Sequence, residues 1–214
     1  MIASYEHFLG IAERVQWDEG AIDLSVDAAP DDRVARFLAG FCVGEAAVAE
    51  HLHDFFDGPA AACFAAQRRD EERHARFFAR YADGVGLGDP RELVSDEFAE
   101  LFERRLPEAA ARAGAEAVGV YHMVLEGVVF TAGQLALLDI LDGRRPGLRR
   151  GTELVLRDER WHVGFGTRCL LDAGLSDAAE ATILEEGARA AALWAPEQAD
   201  HVMANLRRRL KAIR

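Results

Sequence analysis

Apolar residues return every three or four positions along most of this chain, and the two-residue alternation of a half-buried strand is nowhere sustained. From Asp31, preceded by Pro30 and with acidic residues in its first turn, the pattern predicts a helix to about Phe56. Its inward stripe is Phe37, Phe41, Glu45, Val48 and Leu52. A second helix is expected over Ala60 to Asp83, carrying Phe64, Glu71, His74, Phe77 and Phe78, with Gly84, Gly86 and Gly88 ending it. Asp89-Pro90 then opens a crossover of about 25 residues that holds a helix near Ser95 to Arg105. A third helix, Ala113 to Asp142, carries Tyr121, Met123, Glu126 and Phe130, and a fourth runs from Gly147 to Asp172 before Gly174. A last segment starts at Ser176-Asp177, with Glu180 three residues after Asp177, breaks near Pro196 and resumes to the end. The first 29 residues begin with an amphipathic piece from Tyr5 to Val15 and continue as an arm, for which Trp17 is the anchor.

Two of these helices carry the same pattern, Arg69-Asp70-Glu71-Glu72-Arg73-His74 and Arg157-Asp158-Glu159-Arg160-Trp161-His162. Residues three apart share a helix face, so Glu71 with His74, and Glu159 with His162, can offer a carboxylate oxygen and an imidazole nitrogen to one ion. The bare spacing is weak evidence, because fewer than one such pair is expected by chance and a third, Glu50 to His53, also occurs. Position relative to the turns adds to it. Glu45 and Glu71 are centred on Gly58-Pro59, and Glu126 and Glu159 on Asp142-Gly143, so in two antiparallel hairpins each lone Glu lies level with its partner motif. Glu45 and Glu126 are thus the candidates for the two lone carboxylates of a dimetal site; the alternative for Glu45 is a paired or surface glutamate.

The fold these features predict is all-α: a ferritin-like four-helix bundle with one long crossover, plus an N-terminal arm, a crossover helix and C-terminal helices. The crossover makes the third helix parallel to the second and antiparallel to the first. No Ser/Gly-rich linker divides residues 1–214, which read as a single domain. Four carboxylates and two imidazoles suit metals that cycle between +2 and +3, such as Fe and Mn, better than zinc or calcium. Ions about 3.5–4 Å apart act together on one small molecule, most plausibly O2. Asp70 and Asp158 are expected to hydrogen-bond the far imidazole nitrogen across the site; the alternative is surface acids paired to Arg69 and Arg157.

Charge and cysteines narrow the setting. A net charge of −12 argues against nucleic acid, and the basic stretch Arg207 to Arg214 reads as the last turns of a helix. Cys42, Cys63 and Cys169 read as reduced core thiols. With no signal-peptide pattern and no run of 18 apolar residues, a cytoplasmic protein without membrane insertion is expected.

The stretch from Trp17 to Ser25, Glu45, Glu71-x-x-His74, Glu126 and Arg157-Asp158-Glu159-x-x-His162 together resemble the radical-generating small subunit of ribonucleotide reductase and its relatives. That resemblance implies a Trp17–Asp158–His74 electron relay to the metals. Two departures separate this chain from a reductase subunit: Phe78 stands where the radical tyrosine would fall, and the tyrosine-bearing tail is missing, the only tyrosines being Tyr5, Tyr81 and Tyr121. The ligand-binding oxidase branch is more similar, having Val three residues after the first ligand Glu and Tyr five before the third, here Val48 and Tyr121. The resemblance implies a Mn/Fe or di-iron cofactor that activates O2, a Val48–Tyr121 ether cross-link, and a long-chain fatty acid or other apolar small molecule bound at the metals.

The leading functional reading is therefore an O2-activating dimetal oxidase. Metal binding or storage without turnover, a scaffold with a vestigial site, and a reductase radical subunit remain as alternatives. A homodimer is expected, with Phe55 and Phe56 as contact residues. His51, His53, His122 and His201 are read as non-ligands, and His122, beside Tyr121, as a residue that could support the site.

Overall fold

In the computed structural model, which describes residues 2–52, 58–113 and 117–214, helices form wherever the apolar period predicts them, and no strand occurs among the described residues. Helix α1 spans Tyr5–Arg14, α2 Asp32–His51 and α3 Ala61–Val85. The crossover helix, α4, covers residues 96–113 and is longer than the sequence suggests, because Leu101–Arg105 continues as a π-helical turn into Leu106–Ala113. Helix α5 covers residues 117–140, α6 Pro146–Ala173, α7 Asp177–Trp194 and α8 Ala199–Ile213. His53, Phe55 and Phe56 lie outside the described residues, and with them the Glu50–His53 pair and the expected dimer contact.

Local chemistry fixes the ends. Asp31 caps α2 by accepting from the Arg33 and Val34 amides at 3.1 Å. Gly86 ends α3 at φ 66, ψ 42, the left-handed conformation that costs glycine least. Gly174 ends α6 differently, with positive φ but an extended ψ of 118. The N-terminus of α6 is capped from the arm, since Asp27 accepts from the amides of Gly147 and Leu148 at 2.8 and 2.7 Å.

Four helices, α2, α3, α5 and α6, make the bundle. Gly44 meets Phe130 while Phe41 meets Gly133, so α2 and α5 are antiparallel. Phe64 packs on His122 and Gln67 reaches Glu126, which makes α3 and α5 parallel. The pairs Asp70–His162, His74–Asp158 and Phe77–Gly151 run α3 and α6 antiparallel. This is the one-long-crossover topology. The α2 stripe of Phe37, Phe41, Glu45, Val48 and Leu52 is wholly inside. Helix α7 seals one end by driving Trp194 against Gly40 and Gly133, where no Cβ would fit, and Phe37 and Phe98 close around the indole.

The stretch Gly119–Ile140 is long and apolar enough to cross a membrane by composition, but 67% of it is buried inside the bundle. Its apolarity is that of a core helix, and it carries the buried Glu126 and Gln134.

Candidate metal centre

Six ionisable side chains sit where an apolar core would otherwise be continuous. Glu45, Glu71, His74, Glu126, Glu159 and His162 are each no more than 1% exposed. They form two overlapping groups, Glu45, Glu71, His74 and Glu159 on one side and Glu71, Glu126, Glu159 and His162 on the other, with the donor atoms of each group within 4.8 Å of one another. Glu71 and Glu159 belong to both, and their oxygens divide between the two sides. Glu71 turns Oε2 towards His74 Nδ1 at 3.3 Å and Oε1 towards His162 Nδ1 at 3.1 Å. Glu159 turns Oε1 towards His74 at 3.7 Å and Oε2 towards His162 at 2.9 Å. Glu45 lies 3.6 Å from His74 and Glu126 3.6 Å from His162, one on each side. The two imidazole centroids are 6.0 Å apart.

Helix α5 presents Glu126 from a π-helical turn, Leu125–Phe130, which the sequence pattern does not reveal. The Thr131 hydroxyl donates to the Glu126 carbonyl at 2.7 Å and satisfies an acceptor that the wider turn leaves poorly paired.

Around the six, each imidazole presents Nδ1 inward and has a carboxylate at Nε2. His74 Nε2 faces Asp158 Oδ2 at 3.3 Å, and His162 Nε2 faces Asp70 Oδ2 at 3.5 Å, so each aspartate of one motif supports the histidine of the other. Both aspartates are buried, and neither is the surface acid of the alternative reading. Arg73 donates to Asp70 at 2.6 Å and to Asp158 at 2.9 Å, and Arg157 adds a second cation at Asp158 Oδ1, 3.0 Å. Trp17 Nε1 donates to Asp158 Oδ2 at 2.7 Å while its ring stacks on His74, so Trp17, Asp158 and His74, the residues of the relay the resemblance implies, are in contact.

Sequence reasoning missed two amides. Gln67 donates to Glu71 at 3.0 Å and Glu126 at 2.8 Å, and Gln134 donates to Glu159 at 3.1 Å. A signal existed, since Gln67 lies four residues before Glu71 on the same face. His122, read as a non-ligand, faces Gln67 Oε1 through Nε2 at 2.6 Å and so holds the amide that holds the carboxylates. Neither His51 nor His201 belongs to either group.

Electrostatics show what the cage is built for. Burial pushes the Glu45 carboxyl up to about 8, with Glu71 and Glu126 adding repulsion against the pull of His74. Burial, then the charges of Glu159 and Glu71, hold Glu126 well above the carboxylate range. Burial and Glu71 raise Glu159 as well. For Glu71 burial is outweighed by His162 and His74, which hold it well below that range. Both imidazoles are raised: burial opposes their charge, but Asp158, Glu45 and Glu71 overcome it at His74, as Glu71 and Asp70 do at His162. Both oxygens of Glu45, Glu71 Oε2, His74 Nδ1 and Glu126 Oε2 have no hydrogen-bond partner. Buried polar atoms are rarely left so, and two divalent cations would satisfy all of them while balancing four glutamates. The residues present fit a pair of metal ions.

No protein-family model and no curated protein matches the sequence. Solved structures do match. An R2-like ligand-binding oxidase variant with an anaerobically reconstituted Mn/Fe cofactor superposes with a TM-score of 0.79 at 20% identity, over 99% of this chain and 92% of that one. The chain has the ferritin-like fold of the R2-like ligand-binding oxidases. A second anaerobically reconstituted variant gives a TM-score of 0.77 at 21% identity, covering 98% of this chain and 93% of that one. A third, with aerobically reconstituted Mn/Fe, gives 0.72 at 23% identity, covering 99% and 79%. Phe78 is buried and stacks on Phe41 at 4.7 Å. Val48 and Tyr121, the cross-link pair the resemblance implies, are both buried.

Proposed function

We propose that this chain is an O2-activating dimetal carboxylate oxidase in which Glu45, Glu71, His74, Glu126, Glu159 and His162 ligate Mn/Fe or Fe/Fe. The observation that carries the reading is the division of the Glu71 and Glu159 oxygens between the two histidines, an arrangement that suits bridging and has no purpose at a single ion. What bound ions of this kind supply is one-electron redox chemistry on dioxygen. The chain's own residues do the rest. Glu71 and Glu159 set the spacing, Asp70 and Asp158 fix the histidine tautomers, and the fully buried setting keeps bulk water away. Trp17, hydrogen-bonded to Asp158 and stacked on His74, supplies electrons from the arm. The Mn/Fe cofactors of the structural neighbours favour the mixed pair.

The finer parts of the proposal rest on the same site. A Val48–Tyr121 ether would form by loss of one hydrogen from the valine side chain and one from the phenol, with the two electrons passing to dioxygen. Ligand binding by the structural neighbours supports an apolar small molecule, such as a long-chain fatty acid, as the ligand. Cys42, Cys63 and Cys169 are unpaired thiols, which favours a cytoplasmic setting; the proposed assembly is a homodimer. Anaerobic loading with Fe(II) and Mn(II), followed by air, should give O2 uptake and a near-ultraviolet band. A loaded chain that shows neither overturns the oxidase reading. Peptide mass spectrometry should find Val48 and Tyr121 peptides joined with loss of two hydrogens, whereas two separate unmodified peptides remove the cross-link.

A further inference from the structure

Trp161 is the residue of the second motif that the reading above leaves unused. It occupies the place in R-D-E-x-x-H that Arg73 holds in the first motif, directly before the histidine. It is 3% exposed, and its Nε1 donates to Asp70 Oδ2 at 3.1 Å, the same oxygen that faces His162 Nε2 at 3.5 Å. The geometry repeats that of Trp17, Asp158 and His74 on the opposite side, where the distances are 2.7 and 3.3 Å. Each histidine therefore has its own aspartate, and each aspartate its own indole.

The second indole does not end in the core. Phe165, one turn further along α6, lies 6.3 Å from Trp161 and 5.9 Å from Tyr5 between ring centroids, within the range of rings in contact. Tyr5 stands at the edge of α1, half-buried, and its hydroxyl donates to Asp172 Oδ2 at 2.7 Å. Cys169 Sγ lies 3.8 Å from the Tyr5 hydroxyl oxygen, and the Arg168 guanidinium sits 5.8 Å from the Tyr5 ring centroid. A redox-active phenol with a proton acceptor already bonded to it, separated from a buried indole by one intervening aromatic ring, is the layout of a stepwise electron path.

We infer that Trp161, Phe165 and Tyr5 form a second electron path, from the His162 side of the centre to the surface, distinct from the Trp17 path on the His74 side. The inference rests on the dimetal oxidase reading. In each passage the Trp161 indole gives one electron through Asp70 and His162 to the centre oxidised by dioxygen. Tyr5 then gives one electron to the Trp161 cation while its phenolic proton moves to Asp172 Oδ2, leaving a neutral tyrosyl radical. An external one-electron donor of the thiol or ascorbate class reduces that radical, and Asp172 returns the proton. No heavy-atom bond forms or breaks, and the sum is one electron from the donor to the centre. Dioxygen reduced to water with one electron from each of two ions is two electrons short; the Val48–Tyr121 ether supplies that pair only once, and in any later passage two relays supply one electron each.

The test uses the full chain, loaded anaerobically with Fe(II) and Mn(II), mixed with O2 and freeze-quenched for electron paramagnetic resonance. Growth on ring-deuterated tyrosine should narrow the organic radical signal, which assigns it to tyrosine without a variant. Y5F should abolish the signal while Y81F, at a tyrosine outside the site, retains it. W161F should lower its yield about tenfold or more. A signal that survives in Y5F or W161F, or O2 uptake with no tyrosyl signal, overturns the path. The chain loaded with redox-inert Zn(II) and flash-oxidised by a ruthenium polypyridyl separates this from failure of the oxidase reading. There a tryptophan radical should convert to a tyrosyl radical, and Y5F and W161F should each lose the conversion. Conversion without any O2 uptake would retain the path and sink the oxidase; O2 uptake without conversion would do the reverse.

Discussion

Replacing Glu45 with Gln should stabilise the metal-free chain while weakening metal binding. Both Glu45 oxygens are buried without a hydrogen-bond partner, and the nearest cationic group, His74 Nδ1, lies 3.6 Å away. Burial raises the carboxyl from 4.5 to about 8, so between those values the folded chain holds a proton that the unfolded chain releases. Native protein binding more protons than unfolded protein means stability falls as pH rises, by about 1.4 kcal/mol per pH unit for one group. From 4.5 to pH 7 this is about 3 kcal/mol, a cost that the uncharged amide of E45Q does not carry. For a chain of this size about 3 kcal/mol corresponds to roughly 6–12 °C in Tm. Thermal unfolding followed by circular dichroism in chelator, at pH 5, 6 and 7, should show the gain small at pH 5 and widening upward. Titration with Mn(II) should at the same time show E45Q losing affinity for one ion. A metal-free E45Q that melts below wild type at pH 7, or a gain independent of pH, would refute the account of why this glutamate is buried.

Three further outcomes follow from the contacts. Asp158→Asn should cost about 3–5 kcal/mol, because Arg73 and Arg157 lose an anion at 2.9 and 3.0 Å, and should lower metal affinity about 10–100-fold by freeing His74 to adopt the other tautomer; calorimetric unfolding and metal titration read the two separately. Glu159→Gln should reduce occupancy at both ions, since Glu159 belongs to both groups, whereas Glu126→Gln should affect one; metal content per chain by plasma mass spectrometry distinguishes them, and equal losses would argue against bridging. Gly151→Ala should destabilise by about 1–3 kcal/mol, because a Cβ there would run into the Phe77 ring; an unchanged Tm would mean that α3 and α6 are less tightly packed than the contact requires.

Much of the centre was legible in the sequence because a helical repeat forces side chains onto one face. The repeated R-D-E-x-x-H motif and the placement of Glu45 and Glu126 about the turns brought six ligand candidates to one level, and the structure brings the same six together. The cross-site role of Asp70 and Asp158 could be anticipated, because each precedes its Glu by one residue and so points beside the inward face. What the sequence concealed depends on tertiary contact. The π-helical turn at Leu125–Phe130 has no local signature, so α5 reads as one continuous helix. Gln67 and Gln134 look like ordinary polar residues until α3, α5 and α6 close around them. The extension of the crossover helix to residue 113 rests on packing rather than on a recognisable stop signal.

The same charges explain why the cage is built in nested layers. Four glutamates at the centre would repel one another in an apolar interior, and the carboxyls of Glu45, Glu126 and Glu159 are raised by burial first and by that repulsion second. Asp70 and Asp158 add two more buried anions, each necessary to orient a histidine and each matched by a cation: Arg73 touches both, and Arg157 touches the second. The outer layer is thereby neutral on its own account, so the demand for positive charge falls on the centre alone, where two divalent ions balance four carboxylates. Without the arginines, the outer aspartates would compete with the glutamates for any cations held there. Arg73, paired with both aspartates, thus leaves the six central side chains as the place where added cations would be held.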